Sequence, residues 1–307
     1  MRPTLLALII GTLHASLFSQ RSYESQSYNH QVELRHDNDF FVLTDKHYSS
    51  GLFLTYRMLP KEKLFSNGAE QLEFELTQQV YTPERTKSTN TSNFDRPYAG
   101  FLGLNSTWSV ANDKQFFKVK LLTGIVGPNS GAGGFQRWYH KNIIWSSVPP
   151  WTDELRDSFH LNLYLTYAKE WHIAPNPFGI NVAVSPSLAL GSRDTYAEQE
   201  IVAYFGRRNG LSKSIAYNRL GNNDREIYFA LRLAYRHVFY NGLIEGNLFG
   251  DDSKVLRDIE TSLLRLGFDF NHRFDRNDYK VGIRYLSPET PNAESHIYLQ
   301  LSYALSF

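Results

Sequence analysis

Four short polar clusters in the first half of the sequence contain the residue types that catalysis or metal binding requires. In the first, "RHDNDFF" at Arg35–Phe41, Asn38 and Asp39 interrupt a strand pattern with residue types that strands disfavour. Adjacent carboxylate and carboxamide oxygens are ligands that suit a hard cation such as Ca²⁺. A turn or a solvated strand end would contain the same residues, so both interpretations stay open at this point.

The second and third clusters supply hydroxyl groups and charged side chains. "TDKHYSSG" at Thr44–Gly51 contains His47 and Ser49, although an ordinary loop can have this composition. In "NFDRPYAG", Asp95 and Arg96 are placed to form an ion pair with a structural role. Neither cluster identifies an activity by itself.

The fourth cluster is a glycine-rich stretch, "GPNSGAGGFQRWYHKN", at Gly127–Asn142. It follows a strand-like run and ends close to a single histidine, His140. An imidazole titrates near neutral pH, so His140 has the chemistry of a general base. A histidine in a glycine-rich loop is also common as a plain polar surface residue.

Composition narrows the class of protein that holds these clusters. The chain has 307 residues, no cysteine and a formal net charge of +1. The charge gives no reason to expect nucleic acid as a partner, and the lack of cysteine excludes disulfides and thiolate chemistry. The apolar run Leu5–Gly11 behind Arg2 predicts a signal peptide over residues 1–20, cleaved between Ala15 and Gln20, and therefore export. One domain, residues 21–307, remains.

The rest of the sequence divides into about twelve strand-like segments separated by turn signals. In "EQLEFELTQQVY" the apolar and acidic residues alternate. In the final segment, "SHIYLQLSYALSF", apolar residues alternate with Gln300, Ser302 and Ser306, and the segment ends on Phe307. Strands of about ten alternating residues with aromatic ends are typical of membrane barrels. The sequence therefore predicts an all-β protein, a transmembrane antiparallel β-barrel, in preference to a soluble sandwich.

The segment "EIYFALRLAYRHVFYN" illustrates the expected faces. We expect Arg232 and Arg236 to face the lumen, and Tyr228 and Tyr240 to lie in the two aromatic girdles. Helical periodicity is weak throughout, and only a short surface turn capped by Thr152 is expected.

Taken in order, "HDNDFF", "TDKHYSSG", "YTPE", "DRPYAG" and "GIVGPNSGAGGFQRWYH" resemble the lipid A 3′-O-deacylase (LpxR-type) family of outer-membrane proteins. The motif resemblance covers roughly Val32 to His140. It implies a twelve-stranded barrel in the outer membrane of a Gram-negative cell. It also implies Ca²⁺-dependent hydrolysis of the 3′-linked acyloxyacyl ester of lipid A, or lipopolysaccharide, at a site between the barrel wall and the outer leaflet.

The resemblance places the family's functional residues on particular positions of this sequence. The catalytic positions are Asn38, Asp39, Ser49 and His140, of which Asn38 and Asp39 would also hold the metal. The substrate-binding positions are Gln136 and, beyond the "YTP" turn, Arg85 or Lys87. Some members carry an acidic residue six positions after the histidine, where this chain has Ser146.

These assignments imply a mechanism and leave alternatives. His140 would activate a water molecule while Ca²⁺ polarises the ester carbonyl, and the glycine-rich loop would place His140 on the next strand. A Ser49–His140 nucleophile pair is the alternative, and it predicts an acyl-enzyme. Arg96 and Arg137 are further candidates for contacts with lipid A phosphates. A non-catalytic channel and a soluble carbohydrate-binding module are the rival functions.

Overall fold

The computed structural model describes residues 27–39, 46–65, 68–145, 147–174 and 179–307. Twelve strands account for most of this part of the chain. They are β1 (His30–Asn38), β2 (His47–Met58), β3 (Ala69–Thr82), β4 (Ala99–Ala111), β5 (Gln115–Val126), β6 (Ser158–Ala174), β7 (Ile180–Gly191), β8 (Asp194–Arg207), β9 (Glu226–Asn241), β10 (Ser262–Phe274), β11 (Asn277–Leu286) and β12 (His296–Ser306). The predicted signal peptide lies outside the described residues.

The strands form one closed antiparallel barrel in which each strand pairs with its neighbours in sequence and β1 pairs with β12. Because the barrel is closed, each of the twelve described strands is hydrogen-bonded on both sides. No edge strand therefore exposes unpaired backbone N–H and C=O groups to lipid. The predicted fold class, a twelve-stranded antiparallel β-barrel, is confirmed. The long connections 83–98, 127–157 and 242–261 all lie at the end opposite the chain termini. We call this the loop end, and outer-membrane barrels carry their longer loops on the extracellular side.

Alternation along the strands separates a lipid-facing surface from a polar lumen. In β3, Phe74 and Leu76 are 42% and 50% exposed, whereas Glu73 faces inward and pairs with Arg57. In β12, Ile297 and Tyr303 are exposed, as the sequence predicts. We call the lipid-facing side of the barrel the outer wall.

The expected faces of β9 are confirmed for its arginines and wrong for Tyr228. Arg232 points into the lumen, where its Nε lies 2.6 Å from Asp269. Tyr228 has the same parity and is only 1% exposed, so strand alternation turns it inward and away from a girdle. Tyr240 lies beyond a register shift, where it pairs with Thr195, and its hydroxyl donates to the carbonyl of Gly246. A girdle position of Tyr240 stays a prediction.

A segment between β8 and β9, residues 208–225, folds back into the end of the barrel that carries the termini. We call it the plug. Its Arg219 is 1% exposed, and Nη1 lies 2.9 Å from Ser109 on the inner face of β4. Arg273 of β10 donates to three plug carbonyls, those of Lys213, Arg219 and Asn222, at 3.0–3.1 Å. Above the plug lies a cavity of about 410 Å³, lined mostly by polar and charged side chains.

The plug gives a direct test of the channel hypothesis. Replacing residues 209–221 with a short Gly-Ser linker should open an ion path, because the lumen above the plug is polar and wide enough for water. We expect stable conductance in planar bilayers for this variant and little for the native chain. Arg273→Met, which removes three hydrogen bonds to the plug, should give intermittent openings. Equal conductance for native and variant proteins would contradict the assignment of the plug.

One α-helix, α1 (Ala132–Tyr139), interrupts the glycine-rich stretch and continues into a π-helical turn, His140–Ile144. The sequence did not predict this helix, because Gly133 and Gly134 lower helix propensity. Thr152 lies in a turn, as expected. In the described part of the chain, α1 and the short helical turns are too short and too polar to cross a membrane.

Candidate active site on the outer wall

Strand alternation separates the residues of the first polar cluster. Asp37 faces the lumen, where it accepts hydrogen bonds from the Tyr48 hydroxyl at 2.9 Å and from Gln300 at 3.1 Å. Asn38 lies on the opposite face, between Ser50 of β2 and Leu299 of β12. It is nevertheless only 4% exposed. Asn38 is therefore an outer-wall residue that something other than lipid covers.

Asp39 directly follows β1 and is 1% exposed. Its Oδ2 accepts the backbone N–H of Lys46 at 2.9 Å, and its own N–H donates to the carbonyl of Ser49 at 3.3 Å. These bonds join the end of β1 to the start of β2. Asn38, Asp39 and Ser49 are thus brought together by adjacent strands.

Ser49 is the extra residue of a β-bulge. Tyr48 pairs with Tyr81 and Ser50 with the next residue, Val80, so Ser49 is the inserted residue between two consecutive pairs. A bulge changes the direction in which the side chain points. Bulges are common beside active sites. The alternation of β2 changes phase here, so a simple in-and-out reading of "HYSSG" would misplace Ser49.

The bulge is anchored by His47, whose φ of +56° lies in the left-handed region. His47 Nε2 lies 2.7 Å from Asp95 Oδ2, and both side chains are buried. Burial alone raises the pKa of Asp95, but the hydrogen bonds from His47 and from the Glu84 amide outweigh it and hold that pKa below its usual value. Asp95 therefore remains a carboxylate and fixes the backbone two residues before Ser49.

The expected pair between Asp95 and Arg96 is wrong. Arg96 donates instead to Glu289 at 2.8 Å and stacks 4.6 Å from the centroid of Tyr81. Neighbouring residues in an extended segment point in opposite directions, so Asp95 reaches His47 of β2 while Arg96 reaches Glu289 in the loop before β12. Arg96 is 2% exposed, which excludes it from the exposed cations that could meet a phosphate.

Helix α1 lies across the outer wall at the loop end. Gln78 on the outer face of β3 donates to the carbonyl of Ser130 at 3.0 Å, and Ala132 packs against Val80. A Cβ on Gly100 of β4 would overlap Ser130 and Ala132, so glycine permits this close approach. At the other end of the helix, the ring of Tyr139 lies 6.2 Å from that of His36 on β1. Helix α1 thus covers the stretch of wall that holds Asn38 and Ser50.

His140 follows Tyr139 and begins the π-helical turn, so the expectation that it lies on the next strand is wrong. The next strand begins only at Ser158. π-Helical turns recur at functional sites because they offset one side chain from the α-helical path. The helix still delivers His140 to the β1 side of the wall, where the sequence analysis expected it to meet Asn38 and Asp39.

Hydrogen bonding defines the tautomer of His140. Its Nδ1 lies 2.9 Å from the carbonyl oxygen of Ser147. A carbonyl only accepts, so Nδ1 carries the proton and Nε2 carries the lone pair of the neutral ring. His140 is 4% exposed, and this bond holds the ring in one orientation. The carbonyl of Ser147 thus orients the ring of His140. Ser146 lies outside the described residues.

The expected substrate-binding residues differ in their surroundings. Gln136 is 3% exposed and its Oε1 accepts the Trp151 indole N–H at 2.6 Å, a contact that fixes α1 to the following loop. Arg85 and Lys87 are exposed at the loop end, in the connection between β3 and β4. Arg137 is exposed on α1. Three exposed cations therefore lie at the end of the barrel that holds the site.

The loop after the π-helical turn adds a titratable group that the sequence analysis missed. Glu154 is partly buried close to Gly100 and Ser130. Burial and the neighbouring Asp157 raise the pKa of Glu154 to about 7, with Arg137 opposing the shift. Glu154 is one of three acidic residues in the polar run "TDELRD", and nothing in the sequence distinguished it from the other two.

The oxygen ligands of Asn38 and Asp39 suit a hard cation rather than zinc. Among the residues that the structure describes, no three His, Cys, Asp or Glu side chains converge as a metal site. A bound Ca²⁺ would therefore need backbone carbonyls, water or substrate oxygens in addition to these two side chains. The donor set fits Ca²⁺, which readily accepts such mixed oxygen ligands.

The closed barrel and its lipid-facing outer wall define a transmembrane β-barrel, and a polar patch around Asn38 is buried against that wall. The model of the family described as "Outer membrane protein LpxR" matches residues 5–307, and the chain belongs to this family. The resemblance drawn from the motifs is thus confirmed. No curated protein sequence matches the chain significantly.

Comparison with solved structures agrees on the fold. LpxR from Salmonella typhimurium superposes with a TM-score of 0.74 at 15% identity, over 90% of this chain and 100% of that one. The β-domain of the Bordetella autotransporter BrkA gives a TM-score of 0.48 at 11% identity, over 92% and 100% of the two chains. At these identities the likeness concerns the barrel alone.

Proposed function

We propose that this protein is an outer-membrane lipid A 3′-O-deacylase that hydrolyses the 3′-linked acyloxyacyl ester with His140 as general base. The family match over residues 5–307 supports lipid A as substrate. The observation that supports the chemistry is the covered patch of outer wall at Asn38, which is 4% exposed, together with the contact between Tyr139, the residue before His140, and His36 on β1. The amide of Asp39 donates to the carbonyl of Ser49 beside this patch. Asn38 faces lipid rather than the lumen, which suits an acylated substrate.

Water is the nucleophile in this proposal. Nε2 of His140 takes a proton from water as it attacks the ester carbonyl, and the resulting imidazolium returns the proton to the departing sugar oxygen. The Ser147 carbonyl, which accepts from Nδ1, stabilises the positive ring in between. Products are a free fatty acid and a sugar hydroxyl, so atoms and charge balance without another reactant.

The tetrahedral intermediate needs stabilisation for its oxyanion. Asp39 and Asn38 would hold Ca²⁺, and when bound this ion polarises the ester carbonyl and offsets the negative charge on its oxygen. Arg85 and Lys87 are available to meet the phosphates of lipid A, because both are exposed at the loop end. Ser49 would hydrogen-bond the attacking water.

Ser49→Ala distinguishes this mechanism from a serine nucleophile. If water attacks, loss of one hydrogen bond should lower kcat about tenfold. Intact-protein mass spectrometry during turnover should show no acyl adduct on the native enzyme. A loss of a thousandfold or more together with an adduct at Ser49 would support the Ser49–His140 pair instead.

The activity itself is tested by expressing the chain in a Gram-negative host that lacks lipid A deacylation. Mass spectrometry of extracted lipid A should show loss of the 3′-linked acyloxyacyl group. Unmodified lipid A from cells whose outer membrane contains the folded barrel would contradict the proposal. The same preparation in planar bilayers tests the channel hypothesis, which the plug and its contacts with Arg273 disfavour.

A further inference from the structure

His36 is a polar residue on an apolar part of the outer wall. It pairs with Leu52 on β2 and Leu301 on β12, and alternation gives it the same outward face as Leu34 and Asn38. Leu34, which is two residues farther from the loop end on β1, is 52% exposed. His36 therefore stands where the lipid-facing wall meets the polar site beneath α1.

The contacts of His36 engage only one of its two ring nitrogens. Nε2 lies 3.5 Å from Asn38 Nδ2 and 3.5 Å from Ser50 Oγ. The carboxamide nitrogen only donates, so Nε2 accepts and the proton of the neutral ring is on Nδ1. Among the described residues, no group hydrogen-bonds Nδ1, and the remaining contact of the ring is with Tyr139.

An N–H donor such as that of His36 is unfavourable at a lipid boundary unless a ligand accepts its hydrogen bond. Leaving such a group without an acceptor is costly in apolar surroundings, because the hydrogen bond to water is lost and not replaced. His36 is only partly covered, so an acceptor can reach it from the membrane side. The wall around it is lined by leucines, which suit acyl chains.

We propose that His36 is a substrate-binding residue whose Nδ1–H donates to a carbonyl oxygen of the acylated sugar, where the acyl chains join its polar part. This inference rests on the proposed deacylase function. The apolar wall at Leu34 and Leu52 then holds the chains while Asn38 and His140 act on the ester above them. The contact is present in ground state and transition state alike, so it affects binding rather than the chemical step.

The test compares His36→Leu with His36→Gln in detergent micelles that contain purified lipid A. Leucine matches the neighbours of His36 and should leave barrel assembly intact, whereas glutamine keeps an N–H donor. We expect His36→Leu to raise KM about tenfold with kcat within about twofold of native, and His36→Gln to restore most of the affinity. His237 also faces outward, on the distant strand β9, so His237→Leu is the matched control and should be neutral.

Binding of lipid A by His140→Ala separates this inference from the proposed function. In that background, added His36→Leu should weaken binding about tenfold without any turnover. If the native enzyme does not deacylate, the proposed function fails. If it does, but neither KM nor binding changes in His36→Leu, or His36→Gln behaves like His36→Leu, the role of His36 is overturned.

Discussion

Replacing His140 with alanine should reduce lipid A deacylation about a thousandfold while the barrel still assembles. The imidazole is the proposed base, and its Nδ1–H bond to Ser147 fixes the nitrogen that accepts the proton. The side chain lies on a helix outside the sheet, so its loss removes no strand pairing. Mass spectrometry of lipid A gives the activity, and heat-modifiable gel mobility reports assembly.

His172→Ala is the matched control for this experiment. His172 is exposed near the opposite end of the barrel, where its Nδ1 lies 2.7 Å from Asn181. We expect native activity from this control. Deacylation by His140→Ala within about tenfold of the native rate would exclude His140 as the base, since general-base catalysis contributes at least about a hundredfold.

Asp39→Asn should weaken Ca²⁺ binding by about 10–100-fold, because it removes the one negative charge among the proposed metal ligands. The substitution is nearly isosteric, and the new carboxamide oxygen can still accept the Lys46 N–H that Asp39 Oδ2 accepts now. Activity should fall strongly at low Ca²⁺ and recover in part when Ca²⁺ is raised. A chelator should abolish native activity, and added Ca²⁺ should restore it.

Terbium luminescence gives a measure of metal binding that does not depend on turnover. Asp113→Asn is the control, because Asp113 is exposed in the turn between β4 and β5, at the other end of the barrel. This variant should bind terbium and hydrolyse lipid A as the native protein does. Full activity in chelator, or unchanged terbium binding by Asp39→Asn, would exclude the proposed metal role of Asp39.

Much of the barrel was predictable because strand alternation is a local property. Lipid on one side of the wall favours apolar residues, and the polar lumen on the other side favours polar ones, so the two types alternate along a strand. In "EQLEFELTQQVY", Phe74 and Leu76 face out and Glu73 faces in. The girdle positions were not predictable in this way. Tyr228 lies near the end of a strand, but its parity turns the side chain inward.

The helix at the site illustrates what local propensity misses. Two glycines make α1 unfavourable in isolation, yet Ala132 and its neighbours pack against Val80, Phe94, Tyr98 and Trp151. That burial comes from β3, from the loop before β4 and from the loop after the helix. Tertiary contacts therefore decide that His140 begins a π-helical turn instead of a strand.

The sequence by itself determined the residue types of the site, the number of strands and the two faces of the wall. Each of these follows from side-chain chemistry or from a period of two along the chain. Only the tertiary structure decided that Asp37 and Asn38 point to opposite sides, that Ser49 occupies a bulge, and that α1 covers the wall between β3 and β1. These features depend on register and on contacts between segments far apart in sequence, which no local pattern records.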